Sequence, residues 1–163
     1  MSPLVFHLPG DEVFADSFVD AVRADLGALS LHRFPDGESL VRLDADVAGR
    51  EVVLVASLAR PDDITLPLLF AADAARDLGA SRVLLAAPYL AYLRQDRRFH
   101  AGEAITSRTY AALLSNAFDG LATVDPTCTA ITRWMRSTAC QRAWCTPPRP
   151  SPIGSVQMSN GRC

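Results

Sequence analysis

Two short apolar runs bounded by turn residues, PLVFHL at 3–8 and EVVLVASL at 51–58, predict buried strands. Between them, GDEVFADSFVDAVRADLGA at 10–28 repeats apolar residues at helical spacing. That spacing puts Val13, Phe14, Phe18, Val22 and Leu26 on one face of a helix ending at Gly27. SLHRFPDGESLVRL at 30–43 reads as two short strands around a Pro-Asp-Gly turn. A second helix follows in DDITLPLLFAADAARDLGA at 62–80, with Asp62 or Asp63 able to cap it, Pro67 near its first turn and Gly79 to stop it. SRVLLAAPY at 81–89 is apolar without alternation, the mark of a strand covered on both faces. TSRTYAALLSNAF at 106–118 predicts a third helix with Thr106 as its cap, and LATVD at 121–125 a further strand. Strands alternating with helices predict an α/β fold, a mainly parallel sheet flanked by helices on both faces. In such folds ligands collect beyond the carboxyl ends of the strands. RQDRRFHAGEAITSR, at 94–108, lies just downstream of one such end.

Composition divides the chain in two. Of its 163 residues, those up to Pro126 hold all 18 carboxylates and every Leu, Phe and Tyr. Residues 127–163 hold all 4 cysteines and both tryptophans, with no Asp or Glu. They lack periodicity and end in TPPRPSPIGSVQMSNGRC, a pattern expected of an irregular, disordered tail. Cys128, Cys140, Cys145 and Cys163 form no CxxC pair and the tail has no histidine, so neither their spacing nor the ligand supply suits zinc. The first part therefore predicts one domain, 1–126, and the second an aberrant segment. A net charge of −2 gives no bulk cationic field for nucleic acid. No apolar run reaches membrane-spanning length and no signal peptide is visible, so a cytoplasmic location is expected.

All 16 cations are arginine. Without lysine the chain offers neither a Walker-type phosphate lysine nor a Schiff base, and any phosphate must be held by guanidinium groups, backbone N–H groups or metal. Two stretches carry candidate chemistry. FPDGE at 34–38 sets an aromatic face beside two carboxylates: Phe34 could stack on a base, while Asp36 and Glu38 could accept from an exocyclic amine or a ribose hydroxyl. Its plainer reading is a solvated hairpin turn. RQDRR at 94–98 supplies planar guanidinium forks that match phosphate oxygens, and Gln95 adds an amide. Its plainer reading is a surface loop laced by ion pairs to Asp96 and Glu103. His100 reads as a polar loop residue, and His7 and His32 as structural.

Taken together, FPDGESLVRL, PYLAYLRQDRRFHAGEAITSRTYAALLS and VDP resemble the ribose-phosphate pyrophosphokinases, in that family's order and at about its spacing. These enzymes transfer pyrophosphate from ATP to the 1-hydroxyl of ribose 5-phosphate, in nucleotide biosynthesis. The resemblance covers residues 1–126 and implies a phosphoribosyltransferase-like N-terminal domain. It implies that Phe34, Asp36, Gly37 and Glu38 belong to an adenine-recognising loop, often lent to a neighbouring subunit of a homo-oligomer. It further implies that Arg94 and Gln95 bind the ATP ribose and phosphates, and that Mg²⁺ accompanies ATP. Where the family has a magnesium-holding histidine, this chain has Thr127.

The genetic code offers a reason. With one base restored before Thr127, GC-rich codons permit His-Leu-His-Arg-Tyr-His-Ala-Leu-Asp after VDP, and the Trp134-Met135 codons force the aspartate. Residues 127–163 are thus expected to be a frame-shifted translation. The family's ribose 5-phosphate loop needs acidic residues and its catalytic loop a lysine, so no catalytic residue is assigned. The chain is expected to be a truncated form, inactive alone. The alternative is a non-catalytic, nucleotide-binding regulatory partner of a full-length homologue.

Overall fold

The computed structural model describes residues 2–123. In chain order these form β1 (Leu4–His7), α1 (Glu12–Val22), β2 (Asp25–Leu26), β3 (Ala28–Arg33), β4 (Ser39–Asp44), β5 (Glu51–Val55), α2 (Pro61–Asp77), β6 (Arg82–Ala87), α3 (Thr106–Ala117) and β7 (Gly120–Thr123). Five strands make one sheet in the order β2-β1-β5-β6-β7, and each neighbouring pair is parallel. β3 and β4 form a separate antiparallel hairpin.

Alternation along the central strands sorts their side chains into two cores. Leu4, Phe6, Val52, Leu54, Val83 and Leu85 point to the side covered by α2, α3 and the hairpin, where they meet Leu43, Leu68, Ala71, Tyr110 and Leu114. Val5, Val53, Val55 and Ala86 point the other way, against Ala15 and Phe18 of α1. Burial on both faces explains why β5 and β6 read as unbroken apolar runs. The fold class expected from the sequence is the one observed.

Several local expectations are corrected. α1 ends at Val22, five residues before Gly27, with Arg23 left-handed at its C-cap (φ 54°), and Leu26 lies in strand β2. Val13 is not on the buried face: it is 82% exposed. Leu26 keeps the helical phase by coincidence, so the amphipathic pattern runs on past the helix end. Gly27 has a different reason to be there. A Cβ on it would fall 2.4 Å from Cε1 of the buried Phe6 ring, so only glycine lets the chain pass from β2 into the hairpin.

In α2 the cap position belongs to Arg60, with Pro61 opening the helix and Asp62 and Asp63 in its first turn, where carboxylates favour the positive end of the dipole. Gly79 (φ 89°) does follow the last turn, donating its N–H to Arg76 O at 2.9 Å. Pro67 lies inside the helix rather than in its first turn, and it is buried. Having no N–H, it leaves the carbonyl of Asp63, four residues back, without an intrahelical donor. The guanidinium of Arg33, at the end of β3, donates to that carbonyl. Thr106 is the first residue of α3 and not its cap, which is Ile105; the Thr106 hydroxyl is buried with no partner among the described residues. Among the described residues no helix is long and apolar enough to cross a membrane. Thr127, the cysteines and the expected frame break all lie outside the described residues.

Candidate functional site

Because the sheet is parallel, β1, β5 and β6 end at one edge, and three connections leave from it. Leu8 N–H donates to Val55 O at 3.0 Å, Ala56 N–H to Ala86 O at 3.1 Å and Leu58 N–H to Tyr89 O at 3.0 Å. These bonds knit the strand ends into a rim. Asp11 faces the rim from the start of α1 and accepts the Ser57 N–H at 2.8 Å. Burial holds the Asp11 carboxyl above its ordinary value, and the Ser57 bond offsets only part of that.

From this rim residues 88–105 run out before α3 begins. Tyr92 carries φ 61°, left-handed backbone that a bulky residue rarely adopts. Two contacts hold it there. Its hydroxyl donates to Asp62 Oδ1 on the first turn of α2, and its ring lies 4.8 Å from that of Tyr110. The Tyr110 hydroxyl in turn lies 2.9 Å from Thr65 Oγ1. The Asp62 bond raises the Tyr92 phenol above its ordinary value. Two residues later Arg94 and Gln95 emerge exposed. Gln95 is fixed by its backbone, whose carbonyl accepts Ser107 N–H at 3.3 Å, while its amide is free of partners among the described residues. Among those residues the Arg94 guanidinium also has no hydrogen-bond or ion-pair partner.

Glu103 organises the distal part of the loop. Its carboxylate accepts the N–H groups of Phe99 at 2.8 Å and His100 at 3.0 Å, and pairs with His100 Nδ1 at 2.6 Å. These bonds, the His100 contact foremost, hold Glu103 below the usual carboxylate range. Arg97 stacks over Phe99 at 5.1 Å instead of bridging to Asp96, and Arg98 Nε donates to the Glu103 carbonyl at 2.9 Å. The lattice of arginine–carboxylate bridges expected of a plain surface loop is therefore not what secures it.

At the hairpin tip, Phe34 N–H donates to Glu38 O at 2.8 Å and Gly37 N–H to Phe34 O at 2.9 Å. Asp36 Oδ1 accepts the Glu38 N–H at 3.1 Å, and Gly37 takes φ 93°. This is a three-residue hairpin loop whose last position favours glycine. Phe34 is 40% exposed, its ring edge-on to His32 at 4.7 Å. Among the described residues no hydrogen bond or ion pair joins Phe34, Asp36, Gly37 or Glu38 to Arg94 or Gln95. Each stretch is instead tied to the first turn of α2, one through Arg33 on Asp63 and the other through Tyr92 on Asp62.

Sequence reasoning missed Tyr92, Asp62 and Tyr110. The Asp62 carboxylate had a ready use as a cap, and nothing in the letters of PYLAYL marks one tyrosine as left-handed.

A family model described as the N-terminal domain of ribose phosphate pyrophosphokinase matches residues 4–117. The chain belongs to the ribose-phosphate pyrophosphokinase family. It is 44% identical over 103 residues to the ribose-phosphate pyrophosphokinase of Methanopyrus kandleri, a match covering 63% of this chain and 35% of that protein. With the enzyme of Saccharolobus solfataricus it shares 45% over 95 residues, covering 57% of this chain and 33% of the relative. The crystal structure of phosphoribosylpyrophosphate synthetase from Mycobacterium smegmatis superposes with a TM-score of 0.71 at 26% identity, over 82% of this chain and 46% of that one. The chain thus spans about a third of the length of these curated relatives.

Proposed function

We propose that this chain is the ATP-site half of a cytoplasmic ribose-phosphate pyrophosphokinase. In this reading Arg94 and Gln95 take the ATP phosphates and ribose, and Phe34, Asp36, Gly37 and Glu38 form an adenine loop offered to a neighbouring copy. The observation that carries it is the exposed Arg94 guanidinium, without a partner among the described residues, on a loop that leaves the carboxyl edge of a parallel sheet. Guanidinium forks suit phosphate oxygens, and a charge left unpaired there is available to a ligand. Among the described residues no three His, Cys, Asp or Glu side chains cluster to hold a metal. In this reading magnesium enters with ATP, as the MgATP substrate.

Transfer of diphosphate to ribose 5-phosphate needs groups that the 163 residues do not supply. They contain no lysine, and none of their acidic residues follows Pro126. Phosphoryl-type transfer depends on positioning and charge neutralisation at the reacting group, so a chain holding only the nucleotide binds without turning over. Titration of the chain with MgATP in a calorimeter tests this. Binding is expected, weakened about tenfold or more by Arg94→Ala, since hydrogen bonds to charged groups contribute about 1.5–3 kcal/mol. No phosphoribosyl pyrophosphate should form when ribose 5-phosphate is added. Equal affinity in the Arg94→Ala chain would remove the phosphate role. Altered turnover of a full-length homologue on mixing would mark the regulatory reading instead.

A further inference from the structure

The left-handed backbone at Tyr92 is not explained by the turn it makes. A glycine could make the same turn without strain, yet the chain places a large phenol there and secures both ends of it. Residues in sparsely populated regions persist only where their surroundings over-determine them, and they concentrate at binding and catalytic sites. Here the surroundings are specific. The Asp62 carboxylate takes the hydroxyl, the Tyr110 ring packs against the phenol, and Thr65 fixes Tyr110 in turn. Tyr110 is 8% exposed and Thr65 9%, so the support for the phenol is part of the core. The chain direction leaving Tyr92 decides where Arg94 and Gln95 stand. The Gln95 carbonyl is held from the other side by the Ser107 N–H, and neither side chain has an anchor of its own among the described residues. We infer that Tyr92 is a positioning residue for the phosphate-binding loop, a strained latch closed on Asp62 that fixes the approach of Arg94 and Gln95 to a nucleoside polyphosphate.

This inference rests on the nucleotide reading above, and the two can fail separately. Tyr92→Phe keeps the ring and removes the hydroxyl bond. It is expected to weaken MgATP binding about five- to tenfold, the loss of one charge-assisted hydrogen bond at a partly exposed site. AMP, with a single phosphate, should lose less affinity than ATP, a contrast that general loosening of the fold would not produce. Trypsin should cut faster after Arg94 at an unchanged melting temperature. Asp62→Ala should reproduce these effects, the double variant should be no worse than either single one, and Asp62→Asn, which keeps an acceptor, should restore most of the affinity. If the wild-type chain binds ATP and Tyr92→Phe binds it within twofold, the inference is overturned. If the wild-type chain binds no ATP, the nucleotide reading fails, and the latch is then judged by trypsin. Unchanged cleavage after Arg94 sinks it, and faster cleavage sustains it.

Discussion

Gly27→Ala is the substitution whose effect the packing decides most directly. At a position of ordinary backbone, replacing glycine by alanine stabilises a protein by about 0.4–1 kcal/mol through the unfolded chain. Gly27 is outside the left-handed region, so that gain is available to it. Against it stands the Phe6 ring. The added Cβ would meet Cε1 at 2.4 Å, Cζ at 2.8 Å and Cδ1 at 3.0 Å. Non-bonded carbons settle at about 3.5–4.0 Å, so the nearest ring atom must withdraw by roughly 1 Å. Phe6 has no exposed surface, so its ring can withdraw only against packed neighbours. Overpacking a close-packed interior costs about 1–3 kcal/mol, and a rigid ring with no free side belongs at the upper end. The net expectation is about 2 kcal/mol of destabilisation, a fall of roughly 6–10 °C in Tm for a domain of this size. Urea titration followed by circular dichroism measures it. Phe6→Leu in the same chain should relieve the clash, so the double variant should be at least about 1 kcal/mol more stable than the sum of the two changes. A Gly27→Ala chain as stable as wild type, or a coupling near zero, would refute the reasoning.

Other consequences are simpler to state. Asp11 has its folded-state pKa raised by burial, so its contribution is fully present below the unfolded value near 3.8 and is lost as pH rises through the folded value. Asp11→Asn should therefore gain on wild type between acid and neutral pH, by less than about 1 kcal/mol because the group is only partly buried, as pH-dependent denaturation would record. Glu103 is shifted the other way: its support for residues 99–100 is present above 4.5 and lost as pH falls through the lower folded value. Amide exchange at Phe99 and His100 should accelerate there, and Glu103→Gln should show less of that change. Leu54→Ala, at a side chain with no exposed surface, should cost about 2–5 kcal/mol in a urea titration.

The sheet was legible because its strands are covered on both faces: uninterrupted runs such as EVVLV and RVLLAA can hardly be anything else in an alternating chain. The hairpin was legible for a different reason, since Pro-Asp-Gly names a turn chemically and Gly37 takes the positive φ the turn requires. Helix ends were less so. Leu26 kept the helical phase by coincidence, while the residue that ends α1, Arg23, has no composition signal for a left-handed cap. At the candidate site the residue types name candidate groups, guanidinium forks that suit phosphate oxygens. Their mounting could not be read from residue type. It depends on Tyr92 meeting Asp62 across 30 positions and on Arg33 meeting Asp63 across the same separation. Such pairings are products of topology, and local pattern is silent about them.

That shared separation leads to the first turn of α2. Pro67 withholds a donor from Asp63, and the vacancy is filled by Arg33, the last residue of β3 before the Phe34 tip. One residue earlier, Asp62 fills the need of the Tyr92 hydroxyl, two residues before Arg94. A single helical turn thus fixes the base of both stretches that carry candidate nucleotide chemistry, although the stretches do not touch among the described residues. A rigid helix buried through Leu68, Ala71 and Ala75 is a better reference for two loops than either loop is for the other. Displacing that turn should disturb both at once, whereas loosening one loop leaves the other in place. The proline inside α2, which costs the helix a hydrogen bond, therefore has a structural use: it turns a backbone carbonyl outward as a docking point for the hairpin.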